Sequence, residues 1–362
     1  MNSGGDNVRE NVKKFYGTLL ECTVDLKTSA SACSLAIRPV QSVADALSQV
    51  HPEVLKKFFG CGLPFPAKLE GCKVLDLGSG SGRDCYAFSK LVGPTGHVTG
   101  IDMTEELIQT ACQYIEYHQK KFGYEKPNVT FVKGYMEKLS EAGIQNDSMD
   151  VILSNCVICL CADKKAVLQQ AYNVLKEGGE LYFSDMYASK VVPEHMRDDP
   201  VLWGEGMGGS QFWLDFIKLA VSIGFSTPQL VSATRIEIYN SELKEKAGDT
   251  NYASVTYRLF KLPKNAVQSV ATVTYKGTVV DSPDQLTFDS SHSFKKDVAV
   301  EVDGEMAAIL QNSRFCSDFH IQISDKPAQP SSDSTQQYCH LNPFQLADKL
   351  GSSVKQCSKI SK

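Results

Sequence analysis

The feature that most constrains this chain is an alternation that begins at Cys72. Short aliphatic or β-branched runs, KVLDLG (73–78), HVTGID (97–102), NVTFVKG (128–134), DVILSNC (150–156) and ELYFSDMY (180–187), are separated by stretches whose apolar residues fall at helical spacing. Helices are expected over DCYAFSKLV (84–92), EELIQTACQYIEYHQKKF (105–122) and DKKAVLQQAYNVLKEGG (163–179), the last ended by its glycine pair. Strands joined by crossover helices pair in parallel, because parallel neighbours cannot be linked by a tight hairpin. The pattern therefore predicts an α/β fold with a doubly wound sheet and helices on both faces.

The flanks read differently. Residues 7–20 and 42–59 have helical periodicity, and SASACSLAIRP (29–39) is a loop closed by Pro39, so 1–70 is expected to be a helical N-terminal lid. After Ser189 a glycine-rich turn and an amphipathic helix (VLWGEGMGGSQFWLDFIKLAVSIGF, 201–225) precede two strand-like runs, QLVSATRIEIYN and NYASVTYRLFKL. These complete a domain placed at 71–265, with a substrate-binding part from about residue 190. Residues 266–325 are turn-rich and strand-like, a small β-containing C-terminal part, and the Pro/Ser/Gln-rich composition after Asp325 predicts a disordered tail over 326–362.

Composition excludes several partners. A net charge of −5, spread without long single-sign runs, leaves no footprint for nucleic acid or a membrane surface. The N-terminus lacks an apolar core like that of a signal peptide, and no run approaches the roughly 18 apolar residues that span a bilayer, so a cytoplasmic location is expected. Thiols stay reduced there. The twelve cysteines are accordingly read as packing, metal-binding or catalytic groups rather than a disulfide framework.

DLGSGSGRD (76–84) follows a strand and opens a helix, the context in which glycines let backbone approach a cofactor and the helix N-terminus offers free N–H groups. Asp102 ends the next strand, where a carboxylate can accept both hydroxyls of a ribose. Together they indicate a nucleoside cofactor. The spacing is G-x-G-x-G, not the dinucleotide G-x-G-x-x-G, and with Asp76 ahead of it the loop resembles motif I of the class I S-adenosylmethionine-dependent methyltransferases. NVLKEGGELYFSD (173–185) is similar to a late helix–strand element of that superfamily, whose core is Rossmann-like. The resemblance, over 71–185, implies that Asp102 holds the ribose, that Met103, Met136 and Glu137 line the adenine, and that Asn155 faces the methionine moiety. Phe59, Gly60, Asp76, Gly78, Ser79, Gly80 and Val157 complete the implied donor site.

SNCVICLC (154–161) places three cysteines where aliphatic residues would normally pack. Methyl transfer is an in-line displacement, and oxygen or nitrogen acceptors usually need a general base. Near the end of the fourth strand there is no obvious histidine or carboxylate, but there is Cys156, directly after Asn155. Thiolates prefer soft centres such as trivalent arsenic, which keeps a lone pair when thiolate-bound and needs no base to attack a methyl group.

FFGCGLP, DLGSGSGRDCY, GHVTGIDMT, NVTFVKGYMEKL, SNCVICL, GGELYFSD and VLWGE together resemble the animal arsenite methyltransferases along most of residues 7–325. That resemblance implies conversion of arsenite, free or as a glutathione conjugate, to methylated and dimethylated arsenicals. It implies that Cys156 ligates arsenic, that Cys61 and Cys33 take transient-ligand and thiol–disulfide roles, and that thioredoxin or glutathione is the reductant. Two departures stand out. Gly206 occupies the place of a family ligand cysteine, so another sulfur, from Cys61, Cys159, Cys161 or glutathione, must complete the site or turnover suffers; and Phe59 replaces a tyrosine beside the cofactor.

Plainer roles compete. Cys72, Cys85 and Cys112 are expected to pack, and Cys159 and Cys161 to be structural or supporting thiols. Asp76 and Arg83 can serve only to hold the glycine loop, and Trp203 and Trp213 to fill core or lid. A zinc site on C-x-x-C-x-C lacks its fourth ligand. Two other functions remain open at this stage: a methyltransferase acting on a quinone-like carbon or oxygen nucleophile, and an arsenical-binding protein with reduced turnover.

Overall fold

The computed structural model describes residues 3–19, 28–29, 38–324 and 338–357. Strands β1 (Lys73–Leu77), β2 (His97–Asp102), β3 (Val129–Lys133), β4 (Met149–Asn155) and β5 (Leu175–Ala188) form the parallel part of one sheet, in the order β3-β2-β1-β4-β5. A short β6 (Gln211–Phe212) pairs with β5, while β7 (Gln229–Ile236) and β8 (Tyr252–Phe260) extend the sheet antiparallel in the order β5-β8-β7. Val74, Leu75 and Leu77 of β1 are fully buried, as a central strand covered by helices on both faces requires. The fold is the doubly wound α/β sheet expected from the alternation. Its strand order reverses between β1 and β4, and a crevice opens there beyond the carboxyl ends of the two strands.

Several elements differ from the periodicity. The stretch 105–122 is two helices, Glu105–Gln113 and Ile115–Phe122, broken at Tyr114, and 42–59 is likewise two, Gln41–Ser48 and Pro52–Lys56, with the His51 side chain capping the second. The helix expected over 163–179 stops at Val174. The glycine pair lies inside β5, where the register against β4 shifts, and Gly178 has φ 78°. A Cβ on Gly178 would overlap the carbonyl oxygen of Asn312, so this glycine marks a close approach of the C-terminal unit, not a helix stop.

That unit consists of β9 (Ala271–Tyr275), the hairpin β10 (Gln285–Thr287) and β11 (Ser293–Lys295), β12 (Ala299–Val302), the helix Gly304–Asn312 and β13 (Phe319–Ile323), with β9 central between β12 and β13. Buried Glu180 of β5 ties it to the sheet by pairing with Arg314 (2.5 Å), and also pairs with Arg258 of the neighbouring β8 (2.6 Å). The expected disordered tail is corrected for residues 338–357. Pro343–Cys357 is a helix packed on β7, with Leu341, Phe344 and Ala347 in the main core and the Asn342 side chain accepting the Phe344 N–H at its start. A preceding polar stretch hid this short amphipathic signal.

Candidate active site

The crevice at the switch point encloses about 750 Å³ of space, its open mouth included. Gly78 and Ser79 turn out of β1 with their N–H groups on the Ile101 carbonyl (2.8 and 3.0 Å), and Gly82 caps the helix Arg83–Val92. Gly78 sits at φ 71°, and a Cβ there would run into Val157 from the loop after β4. Asp102 at the end of β2 accepts the N–H groups of Gly80 (2.9 Å) and Thr104 (2.8 Å), which locks the loop against the second strand. Asn155 at the end of β4 reaches three ways: its amide bonds Gly62 N–H (3.0 Å) and carbonyl (3.1 Å) and donates to Asp84 (2.8 Å). It thereby pins the Phe59–Gly60–Cys61 segment over the crevice.

The cavity brings together Phe59, Gly60, Asp76, Gly78, Ser79, Gly80, Asp102, Met103, Met136, Asn155, Cys156 and Val157. Glu137 stands outside its lining and pairs instead with Arg9 of the N-terminal helix (3.1 Å). Cys33 lies outside the described residues. Sequence reasoning missed the contribution of that first helix: Val12 and Tyr16 line the cavity, Tyr16 donates to the Gly204 carbonyl (2.9 Å), and its ring meets Phe59 edge-on. It also missed Asp84, whose carboxylate is held by Arg83 and Asn155. Only a capping-type Asp after the glycines could have signalled it.

Three aspartates, Asp76, Asp84 and Asp102, line the cavity beside Lys57 and Arg83. Burial, then the nearby Asp84 carboxylate, pushes the Asp76 carboxyl well above its ordinary range, although the Cys85 thiol donates to it (3.1 Å). Burial also raises Asp102, against the N–H groups it accepts. A cationic guest relieves both. The Ser79 hydroxyl is buried without a hydrogen-bond partner in the glycine loop, so the cradle has an unused polar group.

At the far end is a knot of thiols. Cys156 follows β4 with φ 62°, a left-handed conformation uncommon for a residue bearing a Cβ, fixed by its N–H on the Ser184 carbonyl (2.7 Å). This breaks the strand's alternation and brings Cys156 into the cavity lining. Hydrogen bonds to Cys159 and Cys61, then burial, hold the Cys156 thiol well above its ordinary pKa. Cys159 is lowered by the bond from Cys156, but burial and Asp185 leave it raised, to about 11. Asp185 of β5 is itself lifted by burial to about 6. Cys161 points away, donating to the Met136 sulfur (3.4 Å).

The doubly wound sheet, the glycine loop with Asp102 beside it and the aspartate-lined crevice define a class I S-adenosylmethionine-dependent methyltransferase. Residues 68–246 match the family described as a methyltransferase domain, and residues 268–362 match the arsenite methyltransferase C-terminal domain. The chain belongs to the arsenite methyltransferase family. It is 47% identical to mouse arsenite methyltransferase, over 95% of this chain and 92% of that one, and 44% identical to the enzyme of Aquipseudomonas alcaligenes, over 87% and 90%. Among solved structures, an arsenic(III) S-adenosylmethionine methyltransferase from Chlamydomonas reinhardtii is similar at a TM-score of 0.77 and 40% identity, over 82% of this chain and all of that one.

Proposed function

We propose that this chain transfers a methyl group from S-adenosylmethionine to trivalent arsenic held by Cys156 and Cys61. The observation that carries the reading is the position of Cys156, which lines the donor crevice and packs against the buried cluster that holds Cys61 and Cys159. S-adenosylmethionine supplies an electrophilic methyl on a sulfonium centre. Asp102 is placed to accept the ribose hydroxyls, Ser79 and the loop amides to meet polar groups of the methionine end, and the buried carboxylates to favour its positive charge. Tyr16 and Phe59 close over the crevice and keep water from the reacting centre.

A thiolate-bound arsenic attacks with its own lone pair, so the protein must position and desolvate rather than remove a proton. This suits the site: among the described lining residues there is no histidine, and Asp76, Asp84 and Asp102 are each engaged in the loop. Accepting a methyl cation takes arsenic formally from +3 to +5. A free thiolate then attacks an arsenic-bound sulfur to form a disulfide, and the electron pair of the broken As–S bond stays on arsenic and restores the trivalent state. On the family resemblance, Cys61 and Cys33 supply those sulfurs, and cytosolic glutathione or thioredoxin reopens the disulfide.

Cys156→Ser tests this. It should lower arsenic methylation about a hundredfold or more while donor binding, followed by calorimetry, stays within a few-fold of the parent. Methylation at the parent rate by the serine variant would contradict the role given to Cys156.

A further inference from the structure

We propose that Cys159 is a third sulfur ligand of the arsenic substrate, closing a three-thiolate cage with Cys156 and Cys61, and that Asp185 positions it. This rests on the reading of the chain as an arsenic methyltransferase and deepens it. The sulfurs of Cys156 and Cys159 and a carboxylate oxygen of Asp185 lie within 4.8 Å of one another, and Cys61 belongs to the same buried cluster. Cys61 and Cys159 are almost wholly buried, at 0% and 2% exposure, in a cluster that Cys156 packs against.

The turn Ile158–Leu160 aims Cys159 into this knot and Cys161 away from it. Two contacts hold the turn: Asp185 accepts the Cys159 N–H (2.8 Å), and Lys164 donates to the Cys159 carbonyl (3.1 Å). Opposite stands Gly206, at φ 83°. A Cβ there would be 3.4 Å from the Cys159 sulfur and 3.3 Å from the Met186 methyl, so any side chain at 206 would press on that sulfur. Glycine leaves Met186 as the side chain beside Cys159 at that point.

The chemistry balances without a redox partner. Each As–O bond of arsenite is replaced by an As–S bond, the thiol proton leaving with the hydroxyl as water, and arsenic stays trivalent throughout. Cys156 lines the crevice while Cys61 and Cys159 do not, so arsenic seated on all three sulfurs meets the donor crevice on its Cys156 side.

Arsenic-edge X-ray absorption on the full chain loaded with arsenite, without glutathione, counts the sulfurs directly. We expect three in the parent, two in Cys159→Ser and three in Cys161→Ser, with methylation lowered about tenfold or more only in Cys159→Ser. Three sulfurs and parental turnover in Cys159→Ser would overturn the assignment of Cys159 while leaving arsenic methylation standing. Two sulfurs in the parent would overturn it even if the serine variant failed to fold. Absence of any methylated arsenical from the parent would instead remove the reading underneath.

Discussion

Cys156 and Asp76 show what single residues do here. A left-handed residue bearing a Cβ costs roughly 1–2 kcal/mol, and Cys156 holds that conformation at the one point where a strand end must present sulfur sideways. Cys156 and the glycine loop were legible in the sequence because both rest on local signals: a strand end, a turn, a helix start. Asp185 was invisible, since it lies inside an ordinary strand and gains meaning only when the turn after β4 folds onto β5. The surroundings of Cys159 were hidden for the same reason. Its closeness to Gly206 joins positions 47 apart in sequence. Asp76 carries a pH signature. Its carboxyl is raised by burial and by Asp84, so in the free protein it is protonated at pH values where an ordinary aspartate is charged. A cationic donor favours the ionised form, so donor affinity should rise with pH through the raised Asp76 pKa. In calorimetry across pH, Asp76→Asn should bind more weakly and lose that part of the slope; an unchanged slope would discount Asp76.

At the scale of elements, the N-terminal segment is fastened to the sheet's helices by a neutral histidine. His118, in the helix Ile115–Phe122, stacks on Tyr86 (3.6 Å), accepts the His51 N–H on Nε2 (3.1 Å) and places Nδ1 on the Tyr114 carbonyl (2.7 Å). With Nε2 accepting, Nδ1 carries the proton. Burial lowers its pKa to about 4. The unfolded chain takes up this proton near pH 6.5 and the folded one does not, so its contribution is intact above that pH and drains away as pH falls toward 4. The loss is about 3 kcal/mol. In urea unfolding at pH 7 and pH 4.5, His118→Gln should show a smaller difference between the two pH values than the parent; an equal difference would assign the acid sensitivity elsewhere. Periodicity gave the helical character of 42–59 and 105–122 but not the breaks at residues 49–51 and 114, because amphipathic spacing continues across both.

At the scale of the molecule, one switch point collects what three distant segments supply. The glycine loop and Asp102 come from the first half of the sheet, Asn155 and Cys156 from β4, and Tyr16, Phe59 and Cys61 from the N-terminal segment folded over them. Parallel topology was legible in the alternation of strands and helices. How the C-terminal unit docks was not: the Glu180–Arg258–Arg314 pairing and the Gly178 contact join residues more than 70 positions apart, and no local pattern announces them. No described helix is long and apolar enough to cross a membrane. The account turns on whether the thiol-bound acceptor is arsenic. Purified protein given arsenite, S-adenosylmethionine and glutathione should produce mono- and dimethylated arsenicals, identified by mass with the donor's methyl label; label remaining in the donor, or appearing in no arsenical, would contradict it.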